Sequence, residues 1–407
     1  MSLSVGVARL GNRPHLARLL WIVLCVLLLF SGLLKVVTGN RYRVAFWAPV
    51  VLAAVLLFGT LRVTQTTVLW GVFALLVLIS GLVNEKSLSN TAFAARPALI
   101  GIAFDQLVGN AIRFLSKRRL LRAMLRFGVI QLPVVLLQYG LAYGGIYQRT
   151  LWHDSFYGTF GTTDYQLAFF LNSLIILLLF SNRARRVAGR WRWPLVGICL
   201  VTLVLTNSRV NQVYGILVIG IYLTTHVRPE ALVLATILVF GVALTNTVWG
   251  DLFDRLSPTA LRAYFAPPSD LTWELFLQGK NQRSASVAYL LQRPLSWIGD
   301  GPGAYFTFQG GYRYGIVGTV PLYYAELGTL AVVLVIAIAW LTARPAGLIA
   351  GGKLRLNLAS LLLFGLFATL SLVKDPFSDA ATVLMYCLFV AMVGAPRRRG
   401  LPWIQAA

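Results

Sequence analysis

The sequence predicts an all-α fold: a polytopic bundle of about twelve transmembrane helices, with one large loop on the outer face that contains short helices. Three observations predict it. The 407 residues are 58% hydrophobic, with a mean hydropathy of +0.74. Only 12% of them are charged, about half the fraction usual in a soluble domain. Repeated apolar runs of about 17 to 22 residues match the length of an α-helix that crosses a bilayer.

Twelve apolar segments are predicted to span the membrane. The fourth has the weakest pattern because it contains Arg96, Asp105 and Arg113, and charged side chains are costly inside a bilayer. We predict a single transmembrane domain over 1–407, with a large periplasmic loop, 250–319, between the ninth and tenth spans. The predicted spans are 19–38, 44–61, 67–83, 93–115, 123–143, 163–181, 193–207, 210–225, 231–249, 320–341, 356–373 and 379–395.

The distribution of charge predicts the orientation. If the N-terminus is cytoplasmic, the cytoplasmic segments carry 21 of the 36 Lys and Arg, and the short outer loops carry about seven. Because cytoplasmic loops are enriched in Lys and Arg, both termini are predicted to be cytoplasmic. This placement accounts for the net charge of +23 with the lipid bilayer as partner and without nucleic acid. Eleven of the thirteen Asp and Glu lie on or near the outer face, so we expect any chemistry there.

Arg209 lies in the stretch LTNSRVNQVYG, at the outer end of a tight hairpin between two predicted spans. An arginine near the membrane is costly unless it is paired or lines a water-filled cavity. On a helix that begins here, Asn207, Asn211 and Tyr214 share one face. The residues alone leave two interpretations open: a polar binding site, or an interfacial arginine that reaches headgroup phosphates.

The stretch NQRSASVAYLLQRPLSWIGDGPG is the second candidate. Arg283 opens a predicted short helix, which ends before Pro294. Gly299, Gly301 and Gly303 then predict a compact turn, rich in exposed backbone N–H groups, that could approach a phosphate closely. A simple turn is the alternative interpretation. It is not a Walker loop, because no GK[ST] follows.

Candidate proton acceptors lie in the outer segments. His153 is the one histidine expected on the outer face and precedes an aspartate, which suggests a general base, although adjacent loop residues rarely face one another. Asp164, Asp300 and Glu326 compete for the same role. Glu326 would be costly at the start of a span without a purpose or a partner. No DxD, HExxH or paired-His spacing occurs, so we predict neither a metal site nor a cofactor.

Three motifs follow one another between about residues 160 and 340. They are GTFGTTDYQLAFFLNSLIILLL, LTNSRVNQVYGILVIGIY, and RSASVAYLLQRPLSWIGDGPGAYF followed by YYAELGTLAVVLVI. In this order they resemble the O-antigen polymerase and O-antigen ligase superfamily of bacterial membrane glycosyltransferases. The second resembles the family's arginine hairpin, with Arg209 at the arginine position. The third resembles its arginine, amphipathic helix, P-x-x-G-x-G-x-G turn and E-x-G motif, with Arg283 at the arginine position.

The resemblance implies a metal-independent, inverting glycosyl transfer at the periplasmic face of the bacterial inner membrane. The donor is a glycan on undecaprenyl diphosphate, whose anomeric carbon is attacked by a hydroxyl of the glycan acceptor. Arg209 and Arg283 then hold the diphosphate, a task that suits guanidinium groups. Glu326 and His153 are our other candidate catalytic residues. The candidate substrate-binding residues are Asn211, Tyr214, Arg293, Asp300, Gly301, Gly303, Tyr312, Arg313 and Tyr323.

The sequence departs from the family pattern at one position. Family members usually carry a histidine shortly before the E-x-G motif, whereas the matching stretch YRYGIVGTVPLYYAELG has none. Another group must then act as the base, and Tyr312 and Arg313 are substitutes for binding the glycan or diphosphate. This departure favours a polymerase of polysaccharide repeat units, with a chain-length regulator as a further expected partner. A ligase that transfers glycan to lipid A-core or another acceptor, and a transporter of lipid-linked glycans, stay open.

Overall fold

The computed structural model describes part of the chain, arranged in two compact units. The first unit comprises Met1–Leu121 and Gly279–Ala407, and the second comprises Arg122–Gln278. The predicted first, second and ninth spans lie outside the described residues. The described residues are 63–114, 116–143, 158–160, 164–206, 208–226, 296–309, 312–315, 318–344, 346–348 and 354–393.

The described residues are predominantly helical, as the apolar segments predict. Each of the nine predicted spans within the described ranges coincides with a helix or, for the tenth span, with two. The helices are α1 (Gln65–Val83), α2 (Leu88–Phe114), α3 (Lys117–Tyr143), α4 (Asp164–Phe180), α5 (Asn182–Ala188), α6 (Arg192–Leu205), α7 (Arg209–His226), α8 (Thr319–Leu327), α9 (Thr329–Ala343), α10 (Leu358–Val373) and α11 (Ala380–Val393).

Several of these helices have the composition of membrane spans. Within the described part, three stretches are long and apolar enough to cross a bilayer: Gln65–Val83, Lys117–Leu141 and Asn182–Leu205. The last joins α5 to α6 through a 3-10 turn, Gly189–Trp191. α4, α7, α9, α10 and α11 are apolar but shorter. The structure therefore supports a helical membrane protein, while the count of twelve spans stays a prediction.

Within the described residues, two short antiparallel strand pairs occur besides the helices, and the apolar pattern of the sequence does not predict them. β1 (Phe306–Gln309) pairs with β2 (Tyr312–Gly315), and β3 (Ala346–Leu348) pairs with β4 (Leu354–Leu356). The first hairpin lies in the loop for which short helices were predicted. Its sequence, FTFQGGYRYG, is typical of two strands joined by a two-residue glycine loop.

The tenth span was predicted as one continuous segment, 320–341. This prediction is wrong, because the structure has two helices there. α8 ends at Leu327, and Gly328 adopts a left-handed conformation with φ of 80° before α9 begins. The N–H and hydroxyl groups of Thr329 both donate to the Ser296 carbonyl at 2.8 Å. A side chain at Gly328 would lie 2.3 Å from the Trp297 carbonyl oxygen. Close contact with residues 296 and 297 therefore fixes the break.

Two hydrogen bonds join ends of helices within the first unit. Lys117 donates to the Ala391 carbonyl at 2.8 Å, which joins the start of α3 to the last turn of α11. The N–H of Thr319 donates to the Lys374 carbonyl at 2.8 Å, which joins the start of α8 to the end of α10. In both cases the joined residues were predicted to lie on the same side of the membrane. The membrane topology as a whole stays a prediction.

α4 forms the centre of the second unit. Every residue from 165 to 179 is buried, and α6 and α7 both pack against this helix. The rings of Phe127, Phe160 and Phe170 lie 5.2 to 5.4 Å apart at one end of it. A helix buried on all sides needs no polar stripe, so the polar residues that α4 does carry need a specific explanation.

Candidate functional site

The glycine-rich stretch folds against α8. We call residues 296–305 the glycine turn. The N–H of Asp300 donates to the Ala325 carbonyl at 3.0 Å, and that of Gly301 donates to the Glu326 carbonyl at 2.9 Å. The prediction of exposed N–H groups is therefore wrong for these two residues, because the last turn of α8 already accepts both hydrogen bonds.

Close packing explains the three glycines of the turn. A Cβ atom at Gly299 would lie 2.3 Å from the backbone carbon of Glu326. Gly301 and Gly303 have φ angles of 94° and 82°, a region that other residues rarely adopt. A Cβ at Gly301 would also lie 2.6 Å from Asn84 Cβ, just after α1, and one at Gly303 would lie 2.6 Å from Asn90 Nδ2, in the first turn of α2. The glycines allow the turn to pack on two neighbours at once, whether or not a phosphate approaches it.

Two carboxylates are linked through one tyrosine. Glu326 is 4% exposed, and its Oε1 atom accepts the backbone N–H of Tyr305 at 3.2 Å. The hydroxyl of Tyr305 donates to the Asp300 carboxylate. Glu326 is buried, whereas Asp300 is only half-buried. Glu326 therefore anchors the turn from inside, and Asp300 is the more accessible of the two carboxylates.

Three polar residues beside the turn were not among the predicted site residues. Asn84, at the end of α1, donates to the Gly299 carbonyl at 3.2 Å. Asn90 packs on Gly303, and the side-chain stem of Lys86 packs on Gly301, where a Cβ would lie 2.7 Å from Lys86 Cε. Within the described part of the chain, no ion pair involves Lys86. The only sequence signal for these residues was their predicted position in an outer loop.

Arg209 is the first residue of α7, and its side chain lies outside the described part. Asn211 and Tyr214, the next predicted residues, are both buried, at 1% and 8% exposure. The predicted shared face therefore exists for these two, but it packs within the second unit. Asn207, predicted on the same face, is outside the described residues.

Asn172 of α4 anchors the first turn of α7. Its side-chain amide donates to the Asn211 carbonyl at 2.7 Å, and the Asn211 amide donates to the Ser208 hydroxyl at 2.9 Å. Gly215 permits this contact, because a Cβ there would lie 2.9 Å from Asn172 Oδ1. The chain of hydrogen bonds ends one residue before Arg209. It gives a polar residue inside the apolar helix α4 a definite structural role.

The start of the first motif is also held by side chains. Gly158 exchanges two hydrogen bonds with the Gln138 amide, at 2.9 and 3.0 Å. The N–H of Thr159 donates to Gln131 Oε1 at 3.0 Å. Gly158 has φ of 59°, and a Cβ there would lie 2.4 Å from Gln131 Oε1. Two glutamines of α3 therefore fix the Gly-Thr-Phe segment before α4.

The remaining predicted site residues fall into three groups. His153, Arg283 and Arg293 lie outside the described residues. Tyr312 and Arg313 belong to β2, where they pair with Gln309 and Phe308, and their side chains are outside the described part. Tyr323 is buried in α8, with its ring 5.3 Å from that of Phe73. Of the predicted residues, the structure thus brings together Asp300, Gly301, Gly303 and Glu326.

A buried carboxylate elsewhere in the first unit has a structural explanation. Asp105 accepts hydrogen bonds from the hydroxyls of Thr66 at 3.0 Å and Thr64 at 3.3 Å, at the start of α1. Beside it lies a cavity of about 20 Å³ lined by Trp70, Asp105, Thr342 and Tyr386 among others. A cavity of this size holds about one water molecule. It is too small for a sugar.

Comparison with known proteins adds no relative. No protein-family model matches the chain, and no curated protein matches it at a significant level. The class that the structure itself defines is a membrane protein built from apolar helices. The glycosyltransferase family remains a resemblance at the level of three motifs.

Proposed function

We propose that this protein is a bacterial inner-membrane glycosyltransferase with cytoplasmic termini. It polymerises polysaccharide repeat units at the periplasmic face, using donors linked to undecaprenyl diphosphate. Three motifs in the family order support the proposal. The helical, apolar character of the described residues is consistent with a lipid-linked substrate.

The hydrogen bond between Glu326 and Tyr305 is the structural observation that best supports the proposal. The glycine turn and the E-x-G motif are separate parts of the family pattern, and here the Glu326 carboxylate binds the N–H of Tyr305 at 3.2 Å. Two backbone hydrogen bonds join the same segments. The two short motifs of the sequence therefore form one local structure, in which Asp300 is half-buried.

The proposed reaction is a direct displacement at the anomeric carbon of the donor. The acceptor hydroxyl forms the new C–O bond, and Asp300 accepts its proton, the role left open by the missing histidine. The bond to the diphosphate breaks, and its electron pair leaves with undecaprenyl diphosphate. Arg209 and Arg283 stabilise the growing negative charge on the leaving group. Glu326 acts by holding the turn.

Incubation of the purified protein with an undecaprenyl-diphosphate-linked repeat unit tests the function. A polymerase produces longer lipid-linked chains and free undecaprenyl diphosphate without any other acceptor. Transfer that occurs only after addition of lipid A-core shows a ligase. Movement of the donor across proteoliposomes without any new glycosidic bond shows a transporter, and either of the last two results contradicts the proposal.

A further inference from the structure

A cluster of arginines and tryptophans forms a surface that the proposed reaction does not use. We call residues 182–193 the arginine–tryptophan turn. It comprises α5, the 3-10 turn and the first two residues of α6. The segment 182–205 contains no acidic residue. Its five arginines are Arg183, Arg185, Arg186, Arg190 and Arg192.

One of these arginines fixes the turn to the second unit. Arg192 donates to the Leu178 carbonyl at 3.0 Å and to the Tyr222 hydroxyl at 2.8 Å. Its guanidinium carbon lies 4.7 Å from the centre of the Trp193 ring and 5.2 Å from that of Tyr222. These contacts join the end of α4, the start of α6 and the last turns of α7. The turn is therefore a fixed part of the helical framework.

The solvent-exposed surface of the arginine–tryptophan turn combines positive charge with exposed indole rings. Trp191 and Trp193 are 60% and 55% exposed, which is unusual for rings of this size in contact with water. Arg183 and Arg190 are exposed as well. Neither forms a hydrogen bond or an ion pair with another described residue; Arg190 only lies over the Trp191 ring, at 5.8 Å.

A glycine, Gly189, lies where α5 ends and the 3-10 turn begins. Gly189 has φ of 54°, and no atom lies within 4 Å of the position of a Cβ. The glycine is thus required by the backbone conformation and not by crowding. The left-handed residue ends α5 and lets Arg190 and Trp191 follow in a tight 3-10 turn.

We infer that the arginine–tryptophan turn binds the phosphate groups of anionic phospholipids. Guanidinium groups bind phosphate oxygens in pairs, and indole rings favour the level of the lipid headgroups. Both groups are exposed on one fixed turn with no acidic side chain in its own segment, so the surface is complementary to an anionic leaflet. This inference concerns a second surface and does not depend on the glycosyl transfer proposed above.

Lipid binding to purified protein tests it. Native mass spectrometry would measure the affinity for phosphatidylglycerol and for phosphatidylcholine, for the wild type and for the double variant R183Q/R190Q. Each guanidinium group that binds the lipid phosphate contributes about 1 kcal/mol through its hydrogen bond, so loss of both should weaken phosphatidylglycerol binding by about 30-fold. Phosphatidylcholine binding should not change.

A matched control tests whether phosphatidylglycerol binding depends on this turn or on positive charge elsewhere in the chain. Arg118 and Arg119 are exposed at the start of α3, and R118Q/R119Q removes the same charge from another predicted cytoplasmic segment. It should retain phosphatidylglycerol binding within a few-fold of the wild type, and R183K/R190K should retain most of it. Equal binding of the two lipids by the wild type would overturn the inference. So would equal losses in the two glutamine variants.

Discussion

The Glu326 carboxylate accepts the backbone N–H of Tyr305 at 3.2 Å, although 21 residues separate them in the chain. This contact ties the glycine turn to the end of α8. Glu326, a charged residue at the start of a predicted span, was expected to have a partner, and the Tyr305 N–H is that partner. Glu326 is buried where it holds the turn, whereas Asp300 is half-buried.

Substitution of Glu326 should distinguish a hydrogen-bonding role from a catalytic charge. Glu326→Gln keeps an oxygen that can accept the Tyr305 N–H, so we expect thermal stability near that of the wild type and at most a tenfold loss of glycan elongation. Glu326→Ala removes the acceptor and should cost about 1 to 3 kcal/mol. Complete inactivity of a stable Glu326→Gln variant would instead give the carboxylate a direct catalytic role.

Gly299 should tolerate no side chain. Gly299→Ala places a Cβ 2.3 Å from the backbone carbon of Glu326, so the turn must move away from α8 at a cost of about 1 to 3 kcal/mol. Gly71→Ala is the control, since no atom lies within 4 Å of that position and alanine favours a helix. Thermal unfolding in detergent should show a lower midpoint for Gly299→Ala alone. Equal midpoints for the two variants would contradict the packing.

Asn172 should matter more than the serine beside it. Asn172→Asp replaces the amide that donates to the Asn211 carbonyl at 2.7 Å by a buried acceptor, which should destabilise the second unit by about 2 kcal/mol or more. Ser173 is fully buried, and its hydroxyl makes no hydrogen bond with a described residue. Ser173→Ala should therefore leave the unfolding midpoint unchanged. Equal unfolding midpoints for the two variants would show that the Asn172 amide does not stabilise the second unit.

Lys86 should contribute to donor binding without supporting the fold. The Cγ and Cε atoms of its side chain pack on Gly301, and no described residue forms an ion pair with it, so Lys86→Gln should leave thermal stability unchanged. Under the proposed function we expect KM for the lipid-linked donor to rise several-fold, with kcat nearly constant. A fall in kcat at constant KM would show that Lys86 acts on the transition state.

Helical segments were predictable because apolar runs of this length leave few alternatives in a bilayer. The same argument could not find the break at Gly328. Hydropathy continues through residues 320–341, and only the contact of Gly328 with Trp297 explains two helices there. The β1–β2 hairpin was missed for a different reason. Its signal, two aromatic strands around Gly310 and Gly311, was present in the sequence.

The candidate site was predictable only in part. Asp300 and Glu326 were found from motif positions, and the structure places their segments together. Lys86 and Asn84 could not be found in this way, because their proximity to the turn depends on how α1 packs on residues far along the chain. The N–H groups of the turn were misjudged for the same reason, since their acceptors belong to α8.

Elongation of an undecaprenyl-diphosphate-linked repeat unit by purified protein is the most direct test of the proposed polymerase activity. The wild type should produce a ladder of longer lipid-linked chains, with one undecaprenyl diphosphate released for each new bond. Asp300→Asn retains an acceptor for the Tyr305 hydroxyl, so it should fold normally and lose at least a hundredfold in elongation rate. Arg209→Ala should fold and show no ladder. Normal ladders from both variants, or no glycosidic bond formed by the wild type, would contradict the account.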